Sequence, residues 1–211
     1  MKIKTNSREC QDVFISTLFK NKKNGYYVEI GSQHPITDNN TYLLEKNLDW
    51  KGVSFEIDNR LVSTFNDIRK NPCVCCDATK VDYDFYFKKF ELPCSIDYLQ
   101  LDIEPACNTL TALKKINFEL YNFNFITFEH EFYKEGDSVR QESRKYIQEK
   151  GYKLLIEDVM HDNKVFEDWY VNDKYFDEET IRFLYGKNIN MNMDNIEKKY
   201  YDYILTNKEF I

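Results

Sequence analysis

The stretch Gly25-Tyr26-Tyr27-Val28-Glu29-Ile30-Gly31-Ser32 decides the fold. Its run from Tyr26 to Ile30 has the length and the aromatic and β-branched content of a buried strand. The glycine that ends it permits a tight turn and lets a ligand approach the backbone. Further short apolar runs recur at 53–57, 73–76, 98–103, 125–129 and 153–159, with a shorter one at 168–171. Helices fit between them. Asn39 or Asn40 can cap one carrying Tyr42, Leu43, Leu44 and Leu48, and Leu61, Val62, Phe65 and Ile68 form the stripe of another. Asn108 can cap a third with Leu110, Leu113 and Ile116, and a fourth over 138–150 stops at Gly151. This alternation predicts an α/β fold with a doubly wound, mostly parallel, seven-stranded sheet. One domain over 1–185 is expected, with a C-terminal extension over 186–211 packed on it.

Composition bounds the function. Hydrophobic residues make up 42% and charged residues 31%, as in an ordinary globular domain. Acidic residues outnumber basic ones, 36 to 29, so a formal charge of −7 disfavours nucleic acid and anionic lipid as partners. Residues 1–11 lack the apolar run of a secretory signal, and no stretch approaches the roughly 20 apolar residues of a membrane span. A cytoplasmic location is expected, with the six cysteines as thiols. Cys73, Cys75 and Cys76 lack a second Cys/His pair, so zinc is not expected. A homo-oligomer is compatible with the sequence.

Three strand ends carry acids. The first reads Val28-Glu29-Ile30-Gly31-Ser32, with Glu29 suited to an ammonium group. The second ends in Glu56-Ile57, at about the 20-residue spacing from the glycine turn at which an acid holds a ribose diol. The third ends in Asp77-Ala78, where a carboxylate can accept from an adenine amino group. Gly31 stands alone where a dinucleotide fingerprint has three glycines, so a pyrophosphate is poorly served. A cofactor with ribose and adenine but no phosphate fits better, which points to S-adenosyl-L-methionine.

The next strand ends supply the chemistry. Asp102 and Glu104 share a face if their strand continues, although Pro105 should end it. Asp102, Glu129 and either Glu131 or Asp168 can hold one hard divalent cation such as Mg²⁺, which would lower the pKa of an acceptor hydroxyl. His130 lies between Glu129 and Glu131 and is the best-placed base or metal ligand, with Asp102 and Glu104 as catalytic partners. His34 shapes the loop after Gly31, and His161 reads as a loop residue.

These blocks resemble a family. Gln11-Asp12, the stretch 25–31, Asn39-Asn40-Thr41-Tyr42-Leu43-Leu44-Glu45-Lys46, Trp50-Lys51-Gly52-Val53, the stretch 97–104 and Phe166-Glu167-Asp168-Trp169 are similar to FkbM-type methyltransferases in order and spacing, over roughly Ser7 to Asp173. The resemblance implies a class I methyltransferase fold and methyl transfer to a hydroxyl, often on a sugar or glycan. It places Gly31 and Ser32 at the cofactor turn, Glu56 at the ribose and Asp77 with Ala78 at the adenine. It also matches Asp102, Glu129 and His130 to the acidic sites that bind a metal in related sugar O-methyltransferases. Departures are His34-Pro35 where Asp-Gly is usual, Pro105 in place of a glycine and Cys107 in place of a glutamate. They imply a sub-branch with its own substrate. A non-catalytic cofactor-binding module, or an NAD-dependent or nucleotide-sugar oxidoreductase, is the competing expectation.

Overall fold

A computed structural model describes residues 4–194 and residue 196. Strands β1 (Tyr26–Ile30), β2 (Lys51–Glu56), β3 (Cys73–Cys75), β4 (Ser95–Leu101) and β5 (Asn122–Glu129) are parallel. Strands β6 (Tyr152–His161) and β7 (Lys164–Asn172) form a hairpin, and β8 (Gly186–Lys187) pairs with β6. The order is β3-β2-β1-β4-β5-β7-β6-β8, with β7 antiparallel to both its neighbours. The sheet therefore has eight strands, one more than expected, and the eighth draws the start of the 186–211 extension onto the same domain. Residues 195 and 197–211 lie outside the described residues.

Alternation along each central strand feeds two cores. Tyr27, Tyr98, Phe125 and Trp169 face helices α1 (Gln11–Leu18) and α2 (Tyr42–Leu48), packing with Phe14, Leu44 and Trp50. Val28, Leu99, Ile126 and Phe128 face the other way, against Phe87 of α4 (Tyr83–Lys89), Leu113 of α5 (Ala106–Lys115) and Ile147 of α7 (Asp137–Glu149). Burial on both faces is why these strands read as continuous apolar runs. Helix α3 (Asn59–Ile68) lies along β2 and β3, with Asp58 Oδ1 accepting from Arg60 N as its cap. A short α6 (Phe132–Glu135) follows β5, and α8 (Glu178–Leu184) precedes β8.

Several local expectations change. Asn39 Oδ1 accepts from Thr41 N at 3.1 Å and Tyr42 N at 2.8 Å, so it closes the start of α2. Asn108 does not cap α5: the helix already begins at Ala106, after Pro105, whose missing N–H is no loss there. The final strand is longer than the run 168–171. Asp162 (φ 48°) and Asn163 (φ 62°) form a two-residue turn with both residues left-handed, which suits a twisted hairpin and zips residues 164–167 onto β6. His161 is thus the end of a strand, hydrogen-bonded to Glu9. Helix α1 and the aromatic-rich α4 had no clear periodicity to announce them. Asp82, accepting from Phe85 N at 3.0 Å, is the cap that starts α4. Among the described residues, no helix is long and apolar enough to cross a membrane, and all six cysteines are free thiols.

Candidate active site

Between β1 and β4 the strand order reverses, and the carboxyl ends of the strands diverge there to leave a crevice. A cavity of about 370 Å³ occupies this place. Gly31, Glu56, Ile57, Asp77, Ala78, Asp102, Glu104 and Glu129 all line it, as the sequence predicts. Glu29, Ser32, His130 and Asp168 do not.

Gly31 is required by its surroundings. Its φ is +87°, and a Cβ there would lie 1.7 Å from the carbonyl oxygen of Asp102. Gly31 N donates to Phe55 O, and Asp102 N donates to Ile30 O, each at 2.9 Å, so the turn is clamped between β2 and β4. The glycine serves the close approach of two strand ends as well as any ligand. Gly31→Ala is expected to cost about 1–3 kcal/mol through backbone strain alone. Urea unfolding checks this, and an unchanged midpoint would mean that the turn has another conformation open to it.

Glu56 is held ready by three main-chain donors. Its Oε1 accepts from Ile57 N (2.8 Å) and Asp58 N (2.9 Å), and Oε2 accepts from Gln33 N (2.9 Å). Three of its roughly four lone-pair sites are thus taken, and Oε2 keeps one open. Asp77 caps the turn after β3. The Lys80 ammonium at 2.8 Å and the Thr79 donors hold its carboxyl down at about 2, so it is ionised throughout the neutral range.

Glu29 points to the α2 side of the sheet, underneath the loop. Burial pushes its carboxyl up to about 7. Its oxygens take Asn39 Nδ2 (3.1 Å), Thr41 Oγ1 (3.0 Å) and Ser54 Oγ (2.6 Å). Asn39 Nδ2 also donates to Ser32 O at 3.2 Å, and Ser32 Oγ meets Cys73 Sγ at 3.5 Å. Both residues therefore shape the cavity wall from behind and are corrected from ligand contacts to supports. His34 does as expected: its Nδ1 accepts from Ile36 N and Thr37 N, tightening the same loop.

The expected cation set of Asp102, Glu129, His130 and Asp168 is divided by strand parity. In the antiparallel register Glu129 lies opposite Glu167, and Phe128 lies opposite Asp168. Directly opposed residues share a face, so Glu167 is Glu129's neighbour while His130 and Asp168 fall on the other side. There His130 is fully buried. Its Nδ1 accepts from Phe132 N at 3.2 Å, which leaves the ring proton on Nε2, 3.6 Å from Asp168 Oδ1. Burial would raise the Asp168 carboxyl, but the neighbouring His130 and the Arg144 hydrogen bonds outweigh it and hold the acid well below its ordinary range. His130, Asp158 and Asp168 do bring ligand atoms within 4.8 Å of one another. Two guanidinium groups already neutralise them: Arg144 reaches Asp158 at 2.6 Å and Asp168 at 2.7 Å, and Arg140 reaches Asp158 at 2.9 Å. His130 is thus buried on the far side of the sheet and does not line the cavity.

On the cavity side the chemistry gathers around Glu129. Burial, together with the charge of the neighbouring Asp102, raises its carboxyl well above the ordinary glutamate range. Glu167 behind them is pushed up to about 8 by burial, although Trp169 Nε1 and Gln11 Nε2 donate to it. Glu104 lies at the rim, 73% exposed and 3.5 Å from Lys134 Nζ, because β4 stops at Leu101 and the expected alternation does not extend to it. The cavity-lining residues that sequence reasoning missed include Arg8, Gln33, Asp38 and Tyr133. Gln11 and Asn40 also line the cavity, and both fall inside blocks that carry the family resemblance. Glu167 was adjacent to the residue chosen, one parity step away.

No family model matches this sequence, and no curated protein matches it. Solved structures do. An rRNA methylase from Streptococcus thermophilus aligns over 82% of this chain and 99% of its own, with a TM-score of 0.52 and 11% identity. An O-methyltransferase from Bacillus cereus in complex with SAH covers 81% and 82%, at 0.53 and 12%. The Dnmt2 methyltransferase of S. pombe aligns over 84% of this chain and 55% of its own, at 0.54 and 15%.

The fold is that of the class I S-adenosylmethionine-dependent methyltransferases. At these identities the likeness speaks for the fold, and the ligand must be read from the cavity. In a class I sheet the crevice at the β1/β4 switch point is the general ligand position, and it is where Gly31, Glu56 and Asp102 converge here.

Proposed function

We propose that this chain transfers a methyl group from S-adenosyl-L-methionine to a hydroxyl of an uncharged acceptor, a sugar or glycan, and that it is an FkbM-type enzyme. One observation carries the reading. The clamped Gly31 turn, the amide-held Glu56 carboxylate and the Asp102–Glu129 acid pair face one cavity at the switch point. The cavity volume lies within the range that small-molecule pockets occupy. The fit to the cofactor rests on the donor set: acids suit a diol and a cationic sulfonium, and no cradle for a pyrophosphate is present among the described residues. That counts against a nicotinamide oxidoreductase.

The lining also speaks to the acceptor. Asp38, Glu56, Asp77, Asp102, Glu104 and Glu129 face the cavity, against the single basic side chain Arg8. Such a field repels phosphorylated acceptors and nucleic acid and tolerates neutral ones. This and the FkbM resemblance favour a sugar.

When bound, S-adenosylmethionine supplies an electrophilic methyl carbon, whose bond to sulfur breaks as the acceptor oxygen bonds to it. Glu129 and Asp102 take the proton that the hydroxyl must lose. A carboxyl raised toward neutrality is a stronger base than an ordinary one, and burial next to a second acid is how proteins achieve it. Glu56 fixes the ribose, and the Gly31 turn sets the depth of the cofactor.

Divalent metal assistance, expected from the sequence, keeps only Asp102 and Glu129 of its four ligands. With the acid pair as proton acceptor, turnover in EDTA is expected to stay within about twofold of the untreated rate, since no metal-activated nucleophile is needed. Loss of turnover that Mg²⁺ restores would reinstate the metal. The central test is a methyl-transfer screen with labelled cofactor. It compares neutral deoxysugars and hexoses with nucleotide sugars and RNA, with products identified by mass spectrometry. Transfer to neutral sugars alone is expected. Co-purification with NAD in place of S-adenosylmethionine or its demethylated product would end the proposal.

A further inference from the structure

One end of the cavity is built from the N-terminal segment and the loop after β1, and it holds an exposed pair of opposite charges. Arg8 Nη2 lies 3.5 Å from Asp38 Oδ2, with the two side chains 53% and 47% exposed, and both line the cavity. The backbone that presents Arg8 is fastened on several sides. Asn39 N donates to Asn6 O at 3.1 Å, and the buried Asp12 carboxylate accepts from Asn6 N (2.7 Å) and Thr5 Oγ1 (2.6 Å). Gln11 Nε2 donates to Glu167 Oε2 at 3.1 Å, and Glu9 pairs with His161. Beside the ion pair, Asn40 is 7% exposed and lines the cavity.

We propose that Arg8 and Asp38, with Asn40 beside them, form the subsite for an α-amino acid zwitterion, the methionine end of the cofactor. Arg8 takes the carboxylate and Asp38 the ammonium. This rests on the methyltransferase reading above. The argument is one of charge matching. An α-carboxylate entering a cavity lined by six acids needs a cation, and Arg8 is the one basic side chain in that lining. A guanidinium also accepts a carboxylate in two parallel hydrogen bonds. An ion pair as exposed as Arg8–Asp38 contributes little by itself. Inserting a zwitterion between the two partners therefore opens a weak contact and leaves every charge matched. Glu29, the alternative partner for the ammonium, is sealed behind the loop by Asn39, Thr41 and Ser54.

The test is calorimetric titration of the whole chain with two nucleosides: S-adenosylhomocysteine, which carries the amino acid end, and 5′-methylthioadenosine, which lacks it. Arg8→Ala is expected to raise the S-adenosylhomocysteine Kd by roughly 10- to 100-fold, the range of a lost charged hydrogen bond. The 5′-methylthioadenosine Kd should move by less than about twofold, which also shows that the variant is folded. Asp38→Asn should move the two ligands apart in the same sense. If both nucleosides bind the parent chain and their affinity ratio is the same in Arg8→Ala, the subsite is elsewhere. If neither binds the parent chain, the methyltransferase reading beneath the proposal falls with it.

Discussion

Glu129→Gln is expected to lower methyl-transfer turnover by about 10²- to 10⁴-fold, the usual contribution of a positioned general base. S-adenosylhomocysteine affinity should be nearly unchanged. The amide keeps the shape of the side chain at the cavity wall but cannot accept the hydroxyl proton. The pH profile of the parent enzyme gives an independent reading. Burial and the neighbouring Asp102 raise Glu129 well above the ordinary glutamate range, and the base must be ionised to act. The rate should therefore climb with pH through an apparent pKa that belongs to the pair and lies above that of a free carboxylate. Asp102→Asn removes the like charge, so the acidic limb should move to lower pH. Glu129→Gln with near-normal turnover would take the acid pair out of the chemistry.

The largest expected loss of stability follows Arg69→Met, about 3–5 kcal/mol, the typical cost of stranding buried charged partners. Arg69, at the end of α3, is 6% exposed. Its guanidinium donates to Glu45 Oε2 (2.9 Å), Pro35 O (3.0 Å), Asn39 Oδ1 (3.1 Å), Thr41 Oγ1 (3.1 Å) and Tyr27 OH (3.2 Å). It also stacks over the Phe65 ring, 4.6 Å from its centroid. This one side chain ties the loop after β1 to α2 and α3, and its charge lowers the Glu29 carboxyl that burial otherwise raises. The sign of the pH effect follows. The folded-state pKa of Glu29, about 7, lies above the ordinary glutamate value of 4.5, so its contribution is complete below about 4.5 and is lost as pH rises to about 7. Without Arg69 the penalty for ionising Glu29 grows, so the destabilisation measured by urea unfolding should be larger at pH 8 than at pH 5. A pH-independent loss would mean that Arg69 acts by packing alone.

Some of the site was readable because its residues are local to a strand end. Gly31, Glu56 and Asp77 each follow an apolar run directly, and the rule that ligands bind at carboxyl ends near a switch point places them together without coordinates. The second half of the site was not readable in the same way. His130 and Asp168 have the residue types of a metal centre, but ligand identity depends on which face of the sheet a side chain takes. The antiparallel β5–β7 register puts Glu167 opposite Glu129. A shift of one position would have exchanged the two acids. Arg8 was silent in the sequence because nothing in its own neighbourhood shows that a strand tip more than 20 residues later will fold beneath it.

By itself the sequence determined the α/β class, the positions of the parallel strands and the acids at their tips, because strand runs and turn residues are written in short-range chemistry. Tertiary structure alone decided which of those acids face the cavity, which are sealed beneath it and which are neutralised by Arg144 and Arg69. Those outcomes depend on strand parity, burial and partners far apart in the chain, and no local pattern encodes them.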